Sequence, residues 1–198
     1  MSLVFHEDSH AYELDGQMLP SVSQILRDMD FIDAQWFTEY ACQRGTLVHR
    51  IIQYHLNGEL DKDSVDPELY GYLEAWKKFE AETKYEAHII ELPMASEQHR
   101  FAGTPDSVGN IGKDRALVDI KTGAITPATQ VQMAAYILLL EDTLEAPIIP
   151  HGAKIKRIAV QLKADGTYCL KEFKDRQDRQ IFLAALACWQ WQKNNKIR

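Results

Sequence analysis

Two acidic residues and a lysine stand at a spacing that suits metal-assisted hydrolysis. Gly103-Thr104-Pro105-Asp106 is followed, after twelve intervening residues, by Asp119-Ile120-Lys121. Alternate residues of a strand share a face, so Val118 and Ile120 enter a core while Asp119 and Lys121 stand side by side on the other face. A hairpin folded about Ile111 to Asp114 brings Asp106 opposite Asp119, where Cβ atoms lie about 5 Å apart. Two carboxylates at that distance repel by about 3 kcal/mol at an effective dielectric of about 20. A divalent cation between them removes that penalty, and oxygen donors suit Mg²⁺ or Mn²⁺. The Ile120 carbonyl offers one more oxygen. The Lys121 ammonium is placed to orient an attacking water or to stabilise charge on a phosphoryl group. The chemistry expected is hydrolysis of a phosphodiester, with Asp106, Asp119 and Lys121 as catalytic residues. A solvated Asp-Lys pair on a surface hairpin is the bland alternative, and the apolar run Leu117, Val118, Ile120 speaks against it.

These residues need strands beneath them and helices around them. Val4-Phe5 and Ala11 to Leu14 read as a short hairpin, with Asp15-Gly16 as the next turn. Ser21 caps a helix, with Gln24 three residues on. A longer helix is expected from about Ala34 to Leu56, ended by Asn57-Gly58. Asp66-Pro67 opens another. Ala87 to Leu92, Arg100 to Gly109 and Ala116 to Lys121 read as strands, and Thr126-Pro127 opens a helix. Ile155 to Leu162 and Tyr168 to Phe173 form a late hairpin around Ala164-Asp165-Gly166. A last helix starts at Asp175. This order fits an α/β fold, a mixed central sheet flanked by helices on both faces. Without repeat or linker, residues 1–198 read as one domain: N-terminal hairpin and helices 1–85, core 86–145, C-terminal hairpin and helix 146–198.

Pro105-Asp106 followed by Asp119-Ile120-Lys121 resembles the signature of the PD-(D/E)XK nucleases, in its D-x-K form. Arg44-Gly45-Thr46-Leu47-Val48-His49 is similar to the upstream helix of the RecB-like, phage-type exonuclease branch, which supplies a histidine near the metal. Gln132-Met133-Ala134-Ala135-Tyr136 is similar to that branch's QxxxY motif. Glu91 stands where members often carry an acidic residue. The resemblance implies a restriction-endonuclease-like fold and a metal set of His49, Glu91, Asp106, Asp119 and the Ile120 carbonyl. It implies Mg²⁺ or Mn²⁺, and products with a 5′-phosphate and a 3′-hydroxyl. Gln132 and Tyr136, four apart on one helix face, are expected DNA contacts, as are Arg44 and Thr122. Arg50, Lys113, Arg115, Lys154, Lys156 and Arg157 are further candidates for backbone contact. Gly45 costs helix stability and suggests close approach of another segment or of DNA. The four trptophan side chains Trp36, Trp76, Trp189 and Trp191 read as core or docking aromatics.

The bulk numbers narrow the classes. Apolar residues are 45% and charged residues 26% of 198, an ordinary globular balance. A net charge of −7 argues against a stoichiometric DNA coat, whereas a metal site must itself be acidic. The three cysteines, Cys42, Cys169 and Cys188, form no metal-binding spacing, so no iron–sulfur cluster is expected. No membrane span or secretory signal is legible, which makes the bacterial cytoplasm the expected location. The expected function is a metal-dependent DNA exonuclease in phage or prophage recombination, repair or processing. Linear DNA is the expected partner, beside a single-strand annealing or recombination protein and further copies of the chain. A structure-specific or nicking endonuclease, and a catalytically degenerate nucleic-acid-binding module, stay open as alternatives.

Overall fold

A computed structural model describes residues 2–33, 38–142 and 154–197. The chain begins with a meander of β1 (Leu3–His6), β2 (Ala11–Leu14) and β3 (Gln17–Leu19). Asp15 and Gly16 both lie at positive φ, 49° and 79°, as a two-residue type I′ turn demands. The Ser21 hydroxyl accepts from the Gln24 amide at 3.0 Å and starts α1 (Val22–Asp28). The helix α2 (Glu39–Asn57) is capped by Thr38, whose hydroxyl accepts from the Ala41 amide, and is stopped by left-handed Gly58. A 3₁₀ turn, Pro67–Leu69, capped by Asp66, feeds α3 (Tyr70–Thr83).

The central sheet follows. Its strands are β4 (Tyr85–Ile90), β7 (Ser107–Ile111), β8 (Asp114–Lys121), β9 (Lys156–Leu162) and β10 (Tyr168–Phe173). Their order is β10-β9-β8-β7-β4, and between β4 and β7 the chain makes a separate pair, β5 (Met94–Ser96) with β6 (Phe101–Gly103). The helix α4 (Pro127–Glu141) lies in the connection that makes β8 and β9 parallel; the other sheet pairs are antiparallel. The last helix is α5 (Gln177–Asn194).

Period-two alternation divides β8 between two cores. Ala116, Val118 and Ile120 pack with α2 and α3. Leu117 faces the other way, with α1, α4 and α5. Helices therefore cover both sides of a mixed sheet, the architecture expected of the sequence pattern. Buried on almost every side, α4 carries an apolar run where an amphipathic helix would alternate.

Several sequence expectations need correction. Arg100 to Gly109 is not one strand. It breaks at Thr104-Pro105-Asp106 into β6 and β7, which belong to different sheets. Pro105 has no amide hydrogen to give a ladder, and the Ile120 amide donates to the Asp106 side chain at 2.6 Å. The strands β3 and β5 are additional, too short to show a period. Glu91 lies one residue past the end of β4, at φ 45°. The last helix opens at Gln177, with Asp175 Oδ1 accepting from the Gln177 amide. Trp36 and the expected start of the long helix at Ala34 lie outside the described residues. Trp76 is a core aromatic, whereas Trp191 is 60% exposed.

Candidate active site

Strand register builds an acidic row. Ser107 pairs with Val118, so the next step along β7 and β8 sets Asp106 against Asp119. On the other side a bulge in β4 intervenes between Ala87 and Ile89, opposite Gly109. A Cβ on Gly109 would stand 2.1 Å from the Glu86 carbonyl oxygen, so only glycine admits this approach. Past the bulge Ile90 pairs with Ser107, and the next step sets Glu91 beside Asp106. The Glu91 amide donates to the Asp106 carbonyl at 3.0 Å. The extra residue, His88, thus decides which residue of this segment faces Asp106. Glu91 just past β4, Asp106 just before β7 and Asp119 in β8 thus lie in a row across three neighbouring chain segments.

Helices supply the rest from both faces. From α2, His49 Nδ1 stands 3.4 Å from Glu91 Oε1 and 3.4 Å from Asp106 Oδ1. Its Nε2 is 3.1 Å from the Ile120 carbonyl oxygen. Acceptors face both ring nitrogens, which suits an imidazolium, a donor at each. Burial alone would pull that pKa down; the Asp106 and Glu91 carboxylates together outweigh burial and push it up to about 10. On the other face Lys121 Nζ lies 2.7 Å from Asp119 Oδ2 and donates to Gln132 Oε1 at 3.3 Å. Gln132 Nε2 donates to the Tyr136 hydroxyl at 3.1 Å. Both residues belong to α4, four apart on one face.

The charges press on one another. Burial and the neighbouring Asp106 push the Asp119 carboxyl up to about 6, against the pull of Lys121. Burial also works against the Asp106 charge, but His49, Lys121 and the Ile120 amide hold its pKa below the usual carboxylate range. Burial raises Glu91, and Asp106 adds to the rise while His49 opposes it. Lys121 stays a strong ammonium because Asp119, Asp106 and Glu91 outweigh its burial.

A divalent ion fits these residues. One oxygen atom each from Glu91 and Asp106 and one nitrogen of His49 lie within 4.8 Å of one another. Asp119 is 1% exposed, and its Oδ1 is buried without a hydrogen-bond partner. A buried carboxylate oxygen left bare in this way is costly unless a cation meets it.

The other sequence candidates fall into place unevenly. Arg44 Nη2 donates to the Thr122 carbonyl at 3.4 Å, and its guanidinium lies over the Tyr40 and Tyr72 rings at 5.6 and 5.9 Å. Both Arg44 and Thr122 therefore border Lys121. Tyr136 is 5% exposed and packs on Gly103, so its ring face is not open for a base to stack upon. Arg157 is buried, tied to Asp178 at 2.8 Å and to the Gln130 and Asp175 carbonyls. Lys113, Arg115 and Lys156 cluster at the far end of β8, roughly 20 Å from Lys121 at the strand's rise per residue. Two neighbours of the site, Tyr12 and Thr104, carried no local signal. Their side chains meet across 92 positions of sequence.

No family model and no curated protein matches the chain. Among solved structures it is similar to a candidate exonuclease from Eubacterium rectale, with a TM-score of 0.50 and 15% identity over 87% of this chain and 73% of that one. It also aligns with an alkaline exonuclease from Laribacter hongkongensis, with a TM-score of 0.38 and 18% identity over 90% of this chain and 94% of that one. No helix among the described residues is long and apolar enough to cross a membrane. The likeness to the Eubacterium rectale structure is one of fold: a mixed sheet between helices, with the acidic row of this chain at one end of β8.

Proposed function

We propose that this chain is a divalent-metal-dependent deoxyribonuclease of the PD-(D/E)XK type, in its RecB-like, phage-type exonuclease branch, acting on the ends of linear DNA. The observation that carries this reading is the row Glu91, Asp106, Asp119 with Lys121 alongside. The signature motifs and the exonuclease description of the similar Eubacterium rectale structure support it. The whole chain acts as one nuclease unit, and a role in phage recombination, beside an annealing protein, suits it.

Asp106, Asp119, Glu91, His49 and the Ile120 carbonyl would hold Mg²⁺ or Mn²⁺. Such an ion, when bound, makes water acidic enough to attack at neutral pH and polarises the phosphodiester. Asp119 and Gln132 hold the Lys121 ammonium beside the carboxylates, where it stabilises negative charge gathering on the phosphoryl oxygens. Tyr136 fixes Gln132 by a hydrogen bond. Arg44 and the Thr122 backbone flank this centre and suit contact with the DNA phosphates.

The test is digestion of end-labelled linear single- and double-stranded DNA beside a covalently closed circle, with Mg²⁺ and with chelator. The expected result is loss of linear DNA in Mg²⁺ only, with the circle intact. Asp119→Ala is expected to lower the rate at least 10³-fold or so while the circular dichroism stays native. Wild-type activity in that variant would refute the assignment, and opening of the circle would mark an endonuclease.

A further inference from the structure

The segment that delivers Asp106 is held from outside the central sheet as well as from within it. Between β6 and β7 the chain leaves one sheet for another through Thr104-Pro105-Asp106. Pro105 offers no amide donor; the central sheet takes hold of the crossing at Asp106, whose carbonyl accepts from the Glu91 amide at 3.0 Å. Two tyrosines flank it. The Tyr136 ring packs so closely on Gly103 that a Cβ there would stand 3.0 Å from Tyr136 Cε1. From the N-terminal meander, the Tyr12 hydroxyl lies 2.8 Å from Thr104 Oγ1. Tyr12 is 1% exposed and sits in its own small core with Leu14, Leu19, Ala95 and Ala102. The Ala102 amide also donates to the Pro20 carbonyl at 2.9 Å, which anchors the meander to β6 two residues before Thr104. Burial raises the Tyr12 pKa, the Thr104 hydrogen bond opposes the rise, and nearby Glu91 adds to it.

We propose that Tyr12 is a positioning residue for the acidic row: through its hydrogen bond to Thr104 it fixes the crossing that aims the Asp106 carboxylate at the Ile120 amide and the metal site. The claim rests on the nuclease reading only for its consequence in catalysis. The hydroxyl pair is part-buried, and the Tyr12 hydroxyl also lies 3.5 Å from His10 Nε2, so Thr104 is its shorter partner; a hydrogen bond between a peripheral sheet and a strand crossing favours one geometry of that crossing. A catalytic group displaced by a fraction of an ångström loses much of its effect. The meander is then part of the active-site scaffold.

The Ile120 amide reports the aim directly, because its hydrogen bond is to Asp106 Oδ2. The experiment uses the metal-free whole chain with Tyr12→Phe, Thr104→Val and the double variant, all checked for native melting. In Tyr12→Phe the Ile120 amide is expected to exchange its hydrogen at least about tenfold faster, while amides at the β8–β9 pairing keep their rates. Calorimetric titration with Mn²⁺ is expected to show several-fold weaker binding. Digestion of linear DNA is expected to fall roughly tenfold in kcat with KM unchanged. The double variant should lose no more than the worse single one. Unchanged Ile120 exchange and unchanged Mn²⁺ affinity in Tyr12→Phe would overturn the proposal, as would losses that multiply in the double variant. Faster Ile120 exchange in Tyr12→Phe, together with a wild-type chain that digests no DNA, would uphold the positioning role and sink the nuclease reading instead.

Discussion

His49 occupies the place where charge balance is settled. Its ring sits between Glu91 and Asp106, with the Ile120 carbonyl oxygen 3.1 Å from its other nitrogen. A histidine that ligates a metal must be neutral, so under the proposed function the proton and the ion would compete for one position. The folded pKa of about 10 exceeds the ordinary 6.5. The stabilisation from His49 is therefore fully present below pH 6.5 and is lost as pH rises toward 10. In chelator, the melting temperature is expected to fall across that window, and His49→Gln should flatten the fall. Melting curves at half-unit pH steps check it; an equal fall in the variant would assign the effect elsewhere.

At the scale of elements, two helical glycines predict opposite outcomes. Gly45 in α2 lies beside the Thr122 loop, yet a Cβ there would stand 3.6 Å from Thr122 Oγ1, an ordinary contact. Gly45→Ala is expected to raise stability by about 1 kcal/mol through helix propensity alone. Digestion should be retained; its loss at raised stability would show that DNA approaches this backbone. Gly71 in α3 differs, because a Cβ there would stand 1.7 Å from the Ala164 carbonyl oxygen in the turn between β9 and β10. Gly71→Ala is expected to cost about 3 kcal/mol or more, since backbone must yield. Urea unfolding of both variants measures the contrast. The bulge in β4 works at the same scale, since one inserted residue sets Glu91 against Asp106.

Across the whole molecule, a buried ion pair ties the two faces of chemistry and scaffold together. Arg157 on β9 binds Asp178 of α5, the Gln130 carbonyl of α4 and the Asp175 carbonyl before α5. Asp178 is 0% exposed. The pair fixes α4, and with it Gln132 and Tyr136, over the sheet. Asp178→Ala leaves the Arg157 charge buried without its partner, and should cost about 3–5 kcal/mol. Denaturant titration with Asp178→Ala beside Arg157→Met separates the loss of a partner from the loss of the pair; the second should cost less. Equal costs would mean that solvent reaches Arg157 freely.

Local patterning determined much of this protein. Alternation in Leu117, Val118, Asp119, Ile120 and Lys121 gave the buried strand and the shared face of Asp119 and Lys121. Caps at Ser21 and Asp66 and the stop at Gly58 set helix ends, because capping and left-handed turns depend on neighbours in sequence. The two-residue loop Gly112-Lys113 set the register that opposes Asp106 to Asp119. Other features arose only when distant segments met. The one-residue slip at His88, the Tyr12–Thr104 contact and the burial of Arg157 each depend on a partner far along the chain. A single residue type there reads the same whether solvated or packed, since burial is a property of the assembled layers and not of the residue.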